Sequence, residues 1–308
     1  MRLAAIDFGT NSLRLLIADV TRNTSSIRIS PIFRSARINQ LGHALHAEKI
    51  ISSESIAHSQ EILSEYLNHI ELHNCITLTA VATSVFRDSL NGSETKELFE
   101  KQINIPITIL TGAQEARLFF EGICVNRSID PKLVYGCFDI GGGSTECIVS
   151  HGKTIVQCTS LPIGCLRSKH GFLHKNPPSI DEISLLTRHI HDIIKKNIVI
   201  AQPVSSSFAF GGTITCLARI ICKKSAEETE NIILTKEQLL TTCKHFSLLS
   251  DTEIGITFGA FLDKGRETVL RTGTIIALEL MNHFNLSTIT VTNQGILFGT
   301  LKQLFESI

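Results

Sequence analysis

The chain has 308 residues, enough for two domains of about 150 residues each. Apolar residues make up 43% and charged residues 19%, so a full hydrophobic core is within reach and a disordered polymer is excluded. Lys+Arg and Asp+Glu both count 29, which argues against a broad basic surface for nucleic acid and leaves room for a local basic pocket.

No apolar run approaches the roughly 18 residues of a membrane span, so no membrane partner is expected. The longest stretch, around 275–281, is interrupted by Glu279. Asp7 stands inside the first apolar segment, which argues against a signal peptide. Nine cysteines with no C-x-x-C pair read as reduced, buried thiols in a cytoplasmic protein, without a zinc site.

In chain order, residues 3–6 are apolar at consecutive positions, the pattern of a strand buried on both faces. Residues 7–12 carry turn chemistry, 13–19 resume an apolar strand, and 27–33 offer a third. A helix follows from about Ser52, where Ile56, Leu63, Leu67 and Ile70 recur at helical spacing. Residues 76–82 read as a strand running into a turn and helix at 83–87. A short strand at 107–110 precedes Thr111-Gly112-Ala113-Gln114, whose spacing is that of a capping box opening a helix at Glu115.

Near residue 134 the pattern restarts. A buried-type strand, 133–140, ends in Asp139; Gly141-Gly142-Gly143-Ser144-Thr145 is the turn; 146–150 and 154–160 are the next strands. Ser179-Ile180-Asp181-Glu182 has capping-box spacing before a long helix. Residues 208–210 form a strand running into Gly211-Gly212-Thr213 and another helix, and 289–295 form a strand leading to a final amphipathic helix. The repeated order predicts an internal duplication of two α/β domains facing one another. The first is expected over 1–125 and the second over 126–298, with linker candidates at 126–131 and 176–179 and the helix of about 299–308 packing back on the first domain.

The run from Asp139 to Glu146 is the strongest chemical signal. Consecutive glycines let backbone N–H groups approach an anion, and Ser144 and Thr145 add hydroxyls, so the turn suits phosphate. Asp139, with Glu146 just beyond the turn, can hold a hydrated divalent cation. A plain glycine hairpin, with Asp139 serving its own backbone, is the competing reading. Asp7 followed by Gly9-Thr10-Asn11-Ser12 at the matching place in the first half favours phosphate. Neither run is a Walker loop or a dinucleotide fingerprint. Arg87 follows Thr83-Ser84 by one helical turn and either grips phosphate in a bidentate contact or is a solvated arginine paired with Asp88 or Glu94.

Two hairpin phosphate loops in duplicated halves resemble the actin and sugar-kinase superfamily. Within it the chain is similar to the exopolyphosphatase / guanosine pentaphosphate phosphohydrolase family, in its short two-domain form. The resemblance rests on Ile6-Asp7-Phe8-Gly9-Thr10-Asn11-Ser12-Leu13-Arg14, on residues 82–91, on Thr111 to Leu118, and on the Asp139–Glu146 loop. Leu161-Pro162-Ile163-Gly164-Cys165, Gly211-Gly212-Thr213 and 295–299 complete it, in family order across nearly the whole chain. It implies two actin-like (ribonuclease H-like) α/β domains with an interdomain cleft and a phosphoanhydride hydrolase that uses Mg2+ or another divalent cation. Terminal phosphate would leave inorganic polyphosphate, guanosine pentaphosphate or both, and a homodimer is implied as well.

Carried onto this sequence, the resemblance makes Glu115 the residue that orients and deprotonates the attacking water, although glutamate in a first helical turn is favoured by the macrodipole anyway. Thr10, Asn11, Ser12, Thr83, Arg87, Gly141, Gly142, Gly143, Ser144, Thr145, Gly212 and Thr213 would bind phosphate, and Asp139 and Glu146 the metal. Two departures stand out: the inner residues of 295–299 are apolar where relatives carry an arginine, and Gln40-Leu41-Gly42 replaces Arg-Leu-Gly. An ATP-dependent kinase of the same superfamily and a non-catalytic sensor of polyphosphate or guanosine tetraphosphate are the rival readings.

Overall fold

The first strand, β1 (Arg2–Phe8), is buried from Leu3 onward, as its unbroken apolar run requires. It pairs antiparallel with β2 (Ser12–Arg22), which pairs antiparallel with β3 (Ile27–Ile38). Both partners run longer than their apolar stretches, because β3 is an edge strand whose outer positions carry arginine and serine. After α1 (Leu45–Glu48), Ser52 caps α2 (Ser53–Leu72), and β4 (Thr77–Ala82) lies parallel to β1. Next come α3 (Ser84–Asp88), α4 (Gly92–Ile103), β5 (Ile107–Ile109), parallel to β4, and α5 (Gly112–Val125). The helix expected after Thr83 is divided into α3 and α4 by the extended Ser89, and Thr95, Phe99 and Ile103 make the buried stripe of α4 beyond Gly92. Thr111 caps α5 in a full capping box with Gln114, so the helix opens three residues before the expected Glu115. The sheet order is β3-β2-β1-β4-β5.

The computed structural model describes residues 1–23, 26–263 and 265–308. In it the plan repeats: β6 (Val134–Ile140), β7 (Thr145–His151) and β8 (Thr154–Leu161) form an antiparallel run, followed by α6 (Cys165–Phe172) and α7 (Ile180–Asn197). Ser179 and Glu182 close a capping box on α7. β9 (Ser206–Phe210) lies parallel to β6 and leads into α8 (Gly212–Cys222). Then come β10 (Ile233–Thr235), α9 (Lys236–Leu248), α10 (Asp251–Phe258), α11 (Leu270–His283), β11 (Thr288–Val291) and α12 (Ile296–Ser307). This sheet runs β10-β11-β9-β6-β7-β8, with β11 parallel to β9. The shared part of the two orders is the duplication read from the sequence.

Two units result: Met1–Ser128 with Gln294–Ile308, and Ile129–Asn293. These divisions differ from the expected 125/126 and 298/299. Asn126 exchanges two hydrogen bonds with the Ile29 backbone on β3, which holds the segment after α5 to the first unit. At the far end α12 starts at Ile296, and Phe298 and Leu301 pack with Leu3, Ala5 and Leu16 of the first sheet. Gly122 and Gly299 allow α5 and α12 to meet: a Cβ on Gly299 would stand 2.0 Å from the Leu118 carbonyl, and one on Gly122 2.0 Å from that of Gly295. That packing accounts for the apolar residues between Gly295 and Gly299.

Candidate active site

Both units gather their polar loops at the carboxyl ends of parallel strands, where open α/β sheets place ligands. In the first unit, Thr83 N–H donates to the Phe8 carbonyl at 3.3 Å and Leu110 N–H to the Ala82 carbonyl at 2.9 Å. The segments following β1, β4 and β5 are thereby stitched side by side. They carry Thr10, Asn11, Ser12, Thr83, Arg87 and Glu115, all of them buried except Arg87, which is partly exposed.

Within this group the first hairpin is tightly held. Gly9 N–H donates to the Ser12 carbonyl at 3.1 Å, Gly42 N–H to the Thr10 carbonyl at 2.8 Å, and Asn39 N–H to the Asn11 carbonyl at 3.1 Å. With its carbonyls engaged in this way, the turn presents an anion with less repulsion. Thr10 and Ser84 hydroxyls are 2.9 Å apart, and the Thr83 hydroxyl reaches the Phe8 carbonyl at 3.4 Å. Arg87 Nη1 donates to the Leu110 carbonyl and lies 3.1 Å from Glu115 Oε2. Arg87 is thus held by Leu110 and Glu115. The sequence brings the expected base and an expected phosphate ligand into one ion pair.

The second hairpin copies the first. Gly141 N–H donates to the Ser144 carbonyl at 3.0 Å. The start of α6 holds the turn's carbonyls: Cys165 N–H bonds Gly141, Leu166 and Arg167 N–H bond Gly142, and Arg167 Nε bonds Gly143 at 2.6 Å. Gly164 is required there, since a Cβ would fall 2.4 Å from the Gly142 carbonyl. This brace was missed from sequence; glycine in Pro162-Ile163-Gly164-Cys165 was its only signal. The Thr145 hydroxyl is engaged by the Ile163 carbonyl, inside the fold.

Gly211, at φ 116°, passes so near the Ile140 carbonyl that a Cβ would lie 2.5 Å from it. Gly212 lies against the buried Arg266 guanidinium, whose central carbon would stand 2.1 Å from an added Cβ. Thr213 is buried with its hydroxyl 3.4 Å from Cys165 Sγ. Burial pushes that thiol up to about 11, with Thr213 and Arg266 acting the other way, so it stays neutral at ordinary pH. Gly141, Gly142, Gly143, Ser144, Gly212 and Thr213 therefore share one sheet end, and Arg266 lies there with them.

Asp139 and Glu146 are direct partners across β6 and β7, and both are buried. Ser160 donates to Glu146 Oε1 at 2.8 Å. Two hard oxygen donors suit Mg2+, which keeps several waters and takes substrate phosphates as further ligands. Among the described residues no cluster of three or more His, Cys, Asp or Glu forms a fuller cage. The equivalent pair in the first unit is Asp7 and Arg14, 3.3 Å apart. There an arginine stands where the second hairpin has a carboxylate.

A model of the Ppx/GppA phosphatase family matches residues 16–307. The chain belongs to that family, and with it to the hydrolases of phosphoric anhydrides. Exopolyphosphatase 2 of Mycobacterium tuberculosis is 29% identical over 98% of both chains. A solved structure of the Aquifex aeolicus PPX-GPPA enzyme is 26% identical, covers 98% of this chain and 99% of its own, and superposes with a TM-score of 0.80. An exopolyphosphatase structure from Cytophaga hutchinsonii, 20% identical, covers 100% of this chain and 99% of its own at a TM-score of 0.90, which speaks to fold alone. The two-domain actin-like α/β fold expected from the sequence is the fold found.

Proposed function

We propose that this protein is an exopolyphosphatase that releases terminal phosphate from inorganic polyphosphate, with guanosine pentaphosphate as a second substrate. The reading is carried by the assembly of Glu115, Arg87, Thr83 and the Thr10–Ser12 turn at one sheet end, next to a family match over nearly the whole chain. Glu115 accepts a proton from water as the water oxygen attacks the terminal phosphorus; the bridging P–O bond breaks, and its electrons leave with the shortened chain. Arg87 and the turn amides offset charge on the phosphoryl oxygens. Asp139 and Glu146 would hold Mg2+, which supplies further neutralisation of phosphate charge when bound. The nine free thiols suit a reducing cytoplasm.

The test is phosphate release, with Mg2+, from short polyphosphate, long polyphosphate, guanosine pentaphosphate and ATP. Glu115→Gln should lower kcat on polyphosphate by about 10²–10⁴-fold with a smaller effect on KM. Equal rates in the variant would remove Glu115 from the chemistry. Binding of polyphosphate or guanosine tetraphosphate without release from any substrate would leave a sensor.

A further inference from the structure

We propose that the Arg87–Glu115 ion pair is a latch that the substrate's own phosphate opens, so that Glu115 becomes a competent base only when a phosphate has taken Arg87 from it. This rests on the functional reading above and adds to it a change of partner that neither residue role contains.

The geometry sets two requirements in conflict. A glutamate that takes a proton from water needs a lone pair directed at that water. Glu115 instead has Oε2 at 3.1 Å from Arg87 Nη1, in a buried setting where such a charge-assisted contact is strong. A phosphate ligand, for its part, needs the guanidinium fork turned toward it, and Nη1 already serves both Glu115 and the Leu110 carbonyl. As the pair stands, one lone pair of the carboxylate and one arm of the guanidinium fork are taken up by each other.

Burial decides which end yields. The Glu115 side chain is 8% exposed and the Arg87 side chain 25%, so an incoming anion reaches the arginine first. A terminal phosphoryl group carries more charge than a carboxylate and three acceptor oxygens, and a planar guanidinium binds it through two parallel bonds. Arg87 sits at the end of the short α3, and Glu115 is set in the first turn of α5 behind a closed capping box. The arginine therefore has the longer and more exposed side chain, while the glutamate is buried on a capped first turn. Without phosphate, water meets a carboxylate engaged by Arg87; beside a bound phosphate it meets a released one.

The pair makes an unusual prediction for binding, because the catalytic glutamate competes with the ligand. Imidodiphosphate, whose P–N–P bridge resists hydrolysis, is titrated against wild type, Glu115→Gln, Arg87→Met and the double variant, with melting curves to establish folding. Glu115→Gln should bind about tenfold tighter than wild type, a coupling of about 1.4 kcal/mol. In the Arg87→Met background the same substitution should give no gain. Should Arg87→Met fail to fold, Arg87→Lys takes its place, with the gain cut at least threefold.

A gain of equal size in both backgrounds would mean a general effect of negative charge and overturn the latch, as would no gain in wild type. Tripolyphosphate hydrolysis by wild type, run in parallel, separates the two levels. Turnover with an additive cycle sinks the latch alone. No turnover, together with unchanged binding in Arg87→Met, sinks the functional reading beneath it.

Discussion

Asp139 on β6 and Glu146 on β7 face each other across one antiparallel pair, two buried carboxylates on one side of one sheet. The duplicated hairpin in the other unit has Asp7 opposite Arg14. One hairpin carries its cation in the sequence; the other has a donor pair suited to one from solution. The two halves keep the same turn and differ in the sign of one side chain.

Glu146→Gln tests that difference while retaining an oxygen for Ser160. Mg2+ should raise the melting temperature of the wild type and leave the variant unchanged. In chelator the variant should melt at or above the wild type, since like charges opposite one another on a sheet are destabilising by up to ~1 kcal/mol. A wild-type response to Mg2+ in the variant would place the cation elsewhere.

Asp7 gives a pH dependence whose sign can be worked out. Burial pushes its carboxyl up, and Arg14 offsets part of the rise. A group with a raised folded-state value contributes stability that is complete below its unfolded value and is lost as pH rises through the folded one. Asp7→Asn, fixed in the neutral form, should therefore be at least as stable as wild type at a pH of about 8, with the difference closing toward about 4. Denaturant midpoints across that range check it; a gap that widens on acidification contradicts the assignment.

The crossing of α5 and α12 has no space for a methyl group. Gly299→Ala should destabilise the first unit by roughly 3 kcal/mol, at the upper end of ordinary overpacking, because the obstacle is the Leu118 backbone and not a movable side chain. Urea unfolding measures this. A cost under about 1 kcal/mol would show that the helices can separate locally.

Arg271 is a buried clamp. It donates to the Phe246 and Leu249 carbonyls and pairs with Asp251 at 3.2 Å, which also holds Lys169 at 2.7 Å. Arg271→Met leaves two carbonyls and a carboxylate without that donor and should cost about 3–5 kcal/mol, read from the chemical unfolding midpoint. An unchanged midpoint would show that water takes over the clamp.

The duplicated strands, the capped helices and the glycine turns were legible because each follows from local pattern: unbroken apolar runs, Thr111 and Ser179 with their partners three residues on, and glycine where backbones touch. The braces behind the turns were not. Arg167 reaches Gly143, and Arg266 lies over Gly212, across long stretches of chain, and no spacing rule links such pairs. Arg87 and Glu115 were each singled out, yet their ion pair depends on the β4–β5 pairing that sets α3 beside α5. Glu182 illustrates the local case. Its carboxylate accepts from the backbones of Ser179, His174 and Lys175, which holds it down at about 2, and the four-residue motif announces the first of those bonds.

The final helix also orders events during synthesis. The second unit is one uninterrupted stretch, Ile129–Asn293, and can finish folding as soon as its last residues clear the ribosome. The first unit begins earlier and must wait. Leu3, Ala5, Leu16 and Val20 gain Phe298 and Leu301 only when translation reaches α12, so the earliest sheet made is the last to be covered. A nascent chain paused between the two events would display that apolar face to chaperones, and the unit synthesised first would be the one completed last.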